Sequence, residues 1–166
     1  MPQLINSAVA SFSLETRRKK IKVKVLTKPD LPLLITDAGK VQQIIYNFIS
    51  NAVKFTPERG RIEIRAGLKS DDTTLRIEVT DTGCGIAEED RNKIFEKFGT
   101  ADGSLTRQST GSGLGLAISA ELTAMLAGSM GVDSEIGKGS TFWLDIPITL
   151  TKEESNPTEQ KEIPLA

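Results

Sequence analysis

The segment from Asp37 to Phe55 constrains the fold most, because it predicts a long helix with a single apolar face. Its apolar side chains recur with the 3.6-residue period of an α-helix, at Val41, Ile44, Ile45, Phe48, Ile49, Ala52 and Phe55. Pro57 and Gly60 end the pattern. An apolar face of this length has to be covered, so the helix must pack against a second layer.

Strand patterns elsewhere in the chain supply that layer. Apolar and polar residues alternate in five segments, at residues 20–26, 61–68, 74–80, 130–137 and 140–148. The second and third segments, and the last two, are separated by short polar connections and should pair as antiparallel neighbours. Three further helices are predicted, at residues 3–18, 87–98 and 114–128, the last with Gly128 as its C-cap. The order favours an α+β two-layer sandwich, in which helices cover one face of a mixed, mainly antiparallel sheet.

Composition excludes several kinds of function. The chain has 21 Lys and Arg against 22 Asp and Glu, a balance that gives no reason to expect nucleic acid or an anionic membrane as a partner. It contains no histidine, which excludes serine–histidine and cysteine–histidine catalysis and most zinc sites. Its one cysteine, Cys84, cannot form an internal disulfide. No apolar run approaches the roughly 20 residues of a membrane helix. We expect a cytoplasmic domain, with any membrane attachment of a longer protein outside this chain.

The long helix carries an unusual polar stripe beside its apolar face. Asn47, Asn51 and Lys54 are spaced by four and then three residues, which places them on one side of the helix. Asparagine is a poor helix former, so two of them here are an odd choice for a solvated surface. Either asparagine alone would be explained by a hydrogen bond to neighbouring backbone. Together with the lysine, they suit a hard cation and phosphate oxygens.

Two glycine-rich segments complete the pattern. The first, DTGCGI at residues 81–86, follows a strand directly and begins with a carboxylate at the last strand position. The second, TGSGLGL at residues 110–116, opens a helix, where unobstructed N–H groups can bind an anion. Its spacing is not the G-x-G-x-x-G of dinucleotide folds, and GKGS at residues 137–140 does not satisfy the P-loop pattern.

In this order, the motifs resemble the ATP-binding catalytic domain of sensor histidine kinases, in the wider family of gyrase, heat-shock chaperone and mismatch-repair ATPases. NFISNAVKFT is similar to the N box, DTGCGI and GSGLGL to the two glycine boxes, IFEKF to the phenylalanine box, and GKGSTFW to the last glycine motif. The resemblance covers residues 4–148 and implies a Bergerat-type ATP-binding fold. It implies three parts: a remnant helix at 1–18, the ATP-binding domain at 19–150, and a polar linker or tail at 151–166.

The resemblance also implies roles for particular residues. Asn51 corresponds to the asparagine that coordinates the Mg²⁺ bridging the ATP phosphates, Asn47 to the polar residue one turn earlier, and Lys54 to a basic residue near the phosphates; we take these three as the catalytic set. Asp81 corresponds to the aspartate that accepts a hydrogen bond from the adenine amino group. The other residues expected at the nucleotide are Gly83, Gly85, Ile86, Lys97, Gly111, Gly113, Leu114, Gly115, Leu116 and Thr141.

The segment before the second glycine box is implied to be the ATP lid, at residues 99–112. Phe95 and Phe98 are expected to anchor its base. Arg91 and Arg107 are interpreted as solvated charges, and Cys84 as an incidental residue with no reactive role.

The implied function is transfer of the γ-phosphoryl group of Mg-ATP to a histidine on a separate dimerisation hairpin, which this histidine-free chain lacks. A response regulator or receiver domain would be a further partner. Two alternatives stay open: an anti-sigma-type serine kinase and a non-catalytic nucleotide-sensing interaction module. The chaperone and topoisomerase branch is disfavoured, because those enzymes usually carry a glutamate where this chain has Asn47.

Overall fold

A computed structural model of the chain describes residues 1–28, 31–96 and 113–149. The described helices are α1 (Pro2–Ser11), α2 (Ser13–Arg18), α3 (Ala38–Phe55) and α4 (Gly115–Met125). The strands are β1 (Lys22–Thr27), β2 (Arg61–Leu68), β3 (Thr74–Asp81), β4 (Ser129–Glu135) and β5 (Gly139–Pro147).

The five strands form one sheet in the order β1–β2–β3–β5–β4. β1 and β2 are parallel and are connected through α3, whereas the other neighbouring strands are antiparallel. The predicted mixed, mainly antiparallel sheet is therefore confirmed. α3 is confirmed as well, with Asp37 as its N-cap: the Asp37 carboxylate accepts a hydrogen bond from the backbone N–H of Lys40.

One face of the sheet packs against α1 and α3 to form the core. β3 shows the alternation expected for this arrangement, with Leu75, Ile77 and Val79 buried and the residues between them half-buried. Phe48 of α3 is fully buried, and its ring centroid lies 5.5 Å from that of Phe142 in β5. Burying a side chain of this size contributes about 1.5–3 kcal/mol. The predicted two-layer α+β sandwich is confirmed.

The N-terminal helix differs from the prediction of one helix over residues 3–18. α1 and α2 are separated at Phe12, whose backbone leaves helical values at φ −107° and ψ 12°. The break buries the Phe12 ring, which lies 4.8 Å from the ring of Tyr46 on α3, centroid to centroid. Packing between the helices therefore overrides local helix propensity at this residue.

The predicted helix over residues 87–98 is wrong in its described part. Two single 3₁₀ turns, Glu88–Asp90 and Lys93–Phe95, replace it. The segment has few apolar residues to hold a regular helix against the core. The tight turns are enough to bury Ile94 and to pack Phe95 against the core.

The end of α4 differs from the prediction at one residue. Ala127, not Gly128, takes the left-handed conformation, with φ 50°. The N–H of Gly128 then bonds to the carbonyl oxygen of Thr123 at 3.0 Å, which satisfies a carbonyl in the last turn of the helix. Gly128 is needed for a different reason, because a Cβ there would lie 2.5 Å from the carbonyl oxygen of Asp145.

The outer face of the sheet carries a cluster of charges around Asp145 of β5. The Asp145 side chain is only 8% exposed. Arg76 donates to its two oxygens from Nε and Nη2 at 2.6 and 2.7 Å, and Lys69 donates from Nζ at 2.9 Å. Burial alone would raise the pKa of Asp145, but the hydrogen bonds from Arg76 and Lys69 outweigh it and hold that pKa below its ordinary value.

Replacing Asp145 with asparagine should lower the free energy of unfolding by about 2 kcal/mol at neutral pH, because Arg76 and Lys69 lose their charged acceptor. A depressed carboxyl pKa stabilises the fold above its unfolded value, and this contribution disappears as the pH falls through the folded pKa. The difference between the two proteins should therefore shrink in acid. Urea unfolding over a pH series measures it. Glu63→Gln, which alters an exposed pair with Arg65, is the control and should change stability by less than about 0.5 kcal/mol.

Candidate functional site

Asn47 joins α3 to the start of α4. Its Nδ2 donates to the carbonyl oxygen of Gly115 at 2.8 Å and to Oγ of Ser119 at 2.9 Å, and Ser119 in turn donates to Gly115 at 2.9 Å. Its Oδ1 accepts a hydrogen bond from Gln43 at 3.3 Å. The amide of Asn47 is therefore used within the protein, and its role is to hold the glycine-rich helix start against α3.

Asn51 and Lys54 continue the stripe towards the end of α3. Asn51 is half-buried, and within the described ranges its side chain makes no hydrogen bond. Lys54 is exposed, and its ammonium lies 5.0 Å from the ring centroid of Phe55. One polar stripe thus contains an amide that is hydrogen-bonded within the protein and, one turn later, an amide that has no hydrogen-bond partner among the described residues.

Asp81 is the last residue of β3 and is 4% exposed. Its Oδ1 accepts the N–H of Gly83 at 2.7 Å, and Ser140 of β5 lies opposite Asp81 in the sheet. Burial raises the pKa of Asp81 above its ordinary value, and the nearby backbone N–H groups of Gly83 and Ser140 oppose that rise. The position at the strand end, predicted from the sequence, is confirmed, and the carboxylate is held in one orientation.

The glycine loop after Asp81 is shaped by its own protein neighbours. A Cβ on Gly83 would lie 2.6 Å from Oδ1 of Asp81 and 2.8 Å from the carbonyl oxygen of Phe55, at the end of α3. Gly85 has φ 75°, and a Cβ there would lie 2.1 Å from the carbonyl oxygen of Glu135 in β4. From the resemblance, both glycines are expected at the nucleotide, where they would let the backbone pass close to the base. The structure provides another reason for both, which is tight packing of the loop against α3 and β4.

Ser134 connects the loop after Asp81 to the hairpin of β4 and β5 through hydrogen bonds, a contact that the sequence did not predict. Its Oγ accepts the backbone N–H of Ile86 at 2.8 Å and donates to the carbonyl oxygen of Gly139 at 2.9 Å. It also lies 2.9 Å from Oγ of Ser140. The side chain of Ile86 packs against the core. The loop backbone therefore has fixed contacts on both sides.

The register of β3 and β5 places Ser140, and not Thr141 as expected, opposite Asp81. Ser140 is the Cα partner of Asp81, whereas Thr141 is the partner of Thr80. The Oγ1 atoms of Thr141 and Thr80 lie 3.0 Å apart, on the sheet face opposite to the Asp81 side chain. There they border an open depression of about 310 Å³. Alternation from the core residue Phe142 would have identified Ser140 from the sequence.

The start of α4 presents backbone donors. Gly113 has φ 67°, and Leu114 is the N-cap without a side-chain cap hydrogen bond. Gly115 and Leu116 begin the helix and are half-buried. A Cβ on Gly115 would come no closer than 3.6 Å to Asn47, so this glycine is not required by packing. N–H groups at such a helix start are ready to bind an anion.

Several predicted residues fall outside the described ranges. They are Lys97, Phe98, Arg107, Gly111 and the lid segment 99–112. Arg91 is described, and it is not a solvated charge: its Nη2 donates to the carbonyl oxygen of Ser134. It links the 3₁₀ turns to β4.

α3 brings the separate motifs together. It contacts the start of α4 through Asn47 and the loop after Asp81 through the carbonyl of Phe55, and Asn51 lies between these two points along the helix. No cluster of three or more potential metal ligands from His, Cys, Asp and Glu occurs in residues 1–28, 31–96 and 113–149. In the same residues, no helix is both long and apolar enough to cross a bilayer.

Comparison with known proteins identifies the family. Residues 36–150 match the model of the histidine kinase-, DNA gyrase B- and HSP90-like ATPases. The sensor histidine kinase GacS of Pseudomonas protegens is 38% identical over 156 residues, which cover 92% of this chain and 17% of GacS. The autoinducer 2 sensor kinase/phosphatase LuxQ of Vibrio vulnificus is 48% identical over 134 residues, or 77% of this chain and 16% of LuxQ. The chain thus spans less than a fifth of these relatives.

Solved structures agree with this match. Full-length ShkA in complex with AMPPNP has a TM-score of 0.78 and 35% identity, covering 90% of this chain and 30% of ShkA. The catalytic domain of the histidine kinase ThkA has a TM-score of 0.75 and 27% identity, covering 89% of this chain and 94% of that domain. The chain therefore belongs to the histidine kinase-, DNA gyrase B- and HSP90-like ATPase family, as an ATP-binding catalytic domain of the sensor histidine kinase type.

Proposed function

We propose that this chain binds Mg-ATP and donates its γ-phosphoryl group to a histidine on a separate dimerisation hairpin. The observation that carries the proposal is the position of α3, which connects the loop after Asp81 with the start of α4 and keeps the amide of Asn51 unpaired within the described residues. A purine would bind at the Asp81 end, and phosphates at the α4 end.

The Asp81 end suits adenine. Oδ1 is engaged by the N–H of Gly83, so the carboxylate has a fixed direction in which to accept a hydrogen bond from an exocyclic amine. Ser140 lies beside it in β5. The absence of side chains on Gly83 and Gly85 keeps the loop close to the protein and its carboxylate in place.

The α4 end suits phosphates and Mg²⁺. Mg²⁺ keeps several waters and commonly takes only one or two protein ligands together with substrate phosphates. The amide of Asn51, which is unpaired among the described residues, therefore fits the ion, although that part of the chain holds no cluster of carboxylates. When bound, Mg²⁺ would neutralise charge on the phosphates. Lys54 and the N–H groups of the first turn of α4 would add to this, while Asn47 holds that turn in position.

The acceptor would come from elsewhere in a longer protein. The chain has no histidine, and phosphoryl transfer requires alignment and charge neutralisation more than covalent participation by the enzyme. One relative is named a hybrid signal transduction histidine kinase, from Dictyostelium discoideum. We propose a hairpin of the same protein and a receiver domain or response regulator as partners. No observation favours the serine kinase or the nucleotide-sensing module.

Titration calorimetry with ATP and ADP, with and without Mg²⁺, tests the proposal. We expect both nucleotides to bind, and Mg²⁺ to tighten ATP binding about tenfold, or ~1.4 kcal/mol. Replacing Asn51 with alanine should remove this Mg²⁺ dependence, because the amide oxygen that holds the ion is lost.

Gln42→Ala removes an exposed amide from the same helix and is the matched control, which should behave like the wild type. A wild-type chain that binds neither nucleotide would contradict the proposed function. An Asn51→Ala variant that keeps the full effect of Mg²⁺ would contradict the role of Asn51 alone.

A further inference from the structure

Lys19 lies at the corner between α2 and β1, and its side chain reaches the far end of α3. Its Nζ donates to the carbonyl oxygens of Val53 at 2.8 Å, Lys54 at 2.9 Å and Thr56 at 3.0 Å. All three donors of one ammonium group are thus directed at a single helix end.

The end of α3 needs such a donor. The last carbonyls of a helix have no partner within the helix, and the N–H that would bond to Val53 belongs to residue 57. That residue is Pro57, which has no N–H. A cation at this end also complements the helix dipole. Lys19 therefore replaces the missing backbone donor and adds a favourable charge.

The backbone around Lys19 is fixed to the same region. Its carbonyl oxygen accepts the N–H of Arg59 at 2.8 Å, and the N–H of Lys22 donates to the carbonyl oxygen of Gly60 at 3.0 Å. These bonds hold the α2–β1 corner to the segment that follows α3. The backbone from which the Lys19 side chain extends is therefore held in a fixed position relative to the end of α3.

The end of α3 also forms a wall of the nucleotide site. The carbonyl oxygen of Phe55 would lie 2.8 Å from a Cβ on Gly83, so the two backbones are in close contact. The N–H of Gly83 donates to the carboxylate of Asp81. A shift of the last turn of α3 would therefore be transmitted to the Asp81 carboxylate through Gly83.

We propose that Lys19 is a positioning residue of the nucleotide site, which sets the orientation of the Asp81 carboxylate by holding the end of α3 against Gly83. The inference rests on the proposed function, since it assumes that Asp81 binds the adenine of ATP. Lys19 lies outside every motif of the site and more than 30 residues before the carbonyls that it binds.

The test compares three variants by Mg-ATP titration and by amide NMR spectra without nucleotide. Lys19→Met removes the donors and keeps an unbranched side chain, Lys19→Arg keeps the charge and donors, and Lys22→Met makes the same change at an exposed lysine nearby. We expect Lys19→Met to weaken Mg-ATP binding about tenfold, Lys19→Arg to restore most of the affinity, and Lys22→Met to have no effect. The amide signal of Gly83 should shift in Lys19→Met alone.

A folded Lys19→Met variant with wild-type affinity would overturn the inference, even if it unfolds at lower urea, because a purely structural role predicts that result. A loss shared in full by Lys19→Arg would also overturn it. If Lys19→Met fails to fold, Lys19→Gln takes its place. Wild-type affinity in that variant, or an equal loss in Lys19→Arg, would then overturn the inference. Failure of the wild-type chain to bind nucleotide would instead be a failure of the proposed function.

Discussion

Replacing Asp81 with asparagine is expected to weaken ATP binding about a hundredfold, or ~3 kcal/mol. The N–H of Gly83 already occupies one side-chain oxygen at 2.7 Å. In the variant, the single amide oxygen would accept the N–H of Gly83. The NH₂ group would then occupy the position of the second carboxylate oxygen. Two donors would then face each other, the amide NH₂ and the adenine amine. Titration calorimetry measures the loss.

Asp133→Asn is the control, because it makes the same change at an exposed carboxylate on β4. It should bind ATP as the wild type does. Equal losses in both variants would contradict a specific role for Asp81, and wild-type binding by Asp81→Asn would remove the adenine assignment altogether.

The fold of the Asp81→Asn variant should not weaken. Burial raises the pKa of Asp81. Ionising a carboxyl whose pKa is raised by folding lowers the free energy of unfolding of the protein as the pH rises from the unfolded to the folded pKa. The asparagine variant has no such titration. Its free energy of unfolding should therefore increase relative to that of the wild type as the pH rises through this window, which urea unfolding at several pH values measures. A residue that serves binding while lowering the stability of the fold is expected to show this pH dependence.

Replacing Gly139 with alanine should lower the free energy of unfolding by more than about 3 kcal/mol. Gly139 has φ 109°, and a Cβ there would lie 2.0 Å from the carbonyl oxygen of Asp81. The overlap involves backbone on both sides, so no side chain can move to relieve it. β3 and β5 must separate where Asp81 and Ser140 pair, and ATP binding should weaken with them.

Gly137→Ala is a matched control in the same hairpin. Gly137 also has a positive φ, 79°, but a Cβ there meets nothing within 4 Å. The Gly137→Ala variant should lose only about 1–2 kcal/mol in free energy of unfolding, which is the cost of placing alanine in the left-handed conformation. Urea unfolding of both variants separates the cost of the left-handed backbone from the cost of atomic overlap. Equal decreases in free energy of unfolding would show that the close approach of Gly139 to Asp81 is unimportant.

Local sequence patterns were enough to predict α3, the strands and the order of the motifs. The 3.6-residue period of α3, the alternation in β2 and β3, and the position of Asp81 at a strand end all depend on residues close together in the chain. The same holds for the polar stripe of Asn47 and Asn51. Periodicity reflects which face of one element is buried, so it can be read without the other elements.

How these residues are used depends on contacts between elements that are far apart in the sequence. The tertiary structure engaged Asn47 with α4 while leaving Asn51 unpaired within the described residues, although the two asparagines look alike in the sequence. It also broke the N-terminal helix at Phe12 and directed Lys19 to carbonyls 34 to 37 positions away. These outcomes depend on how helices and strands approach one another. A local pattern specifies what an element must bury, whereas the partner of each polar group is set by packing between residues far apart in the chain.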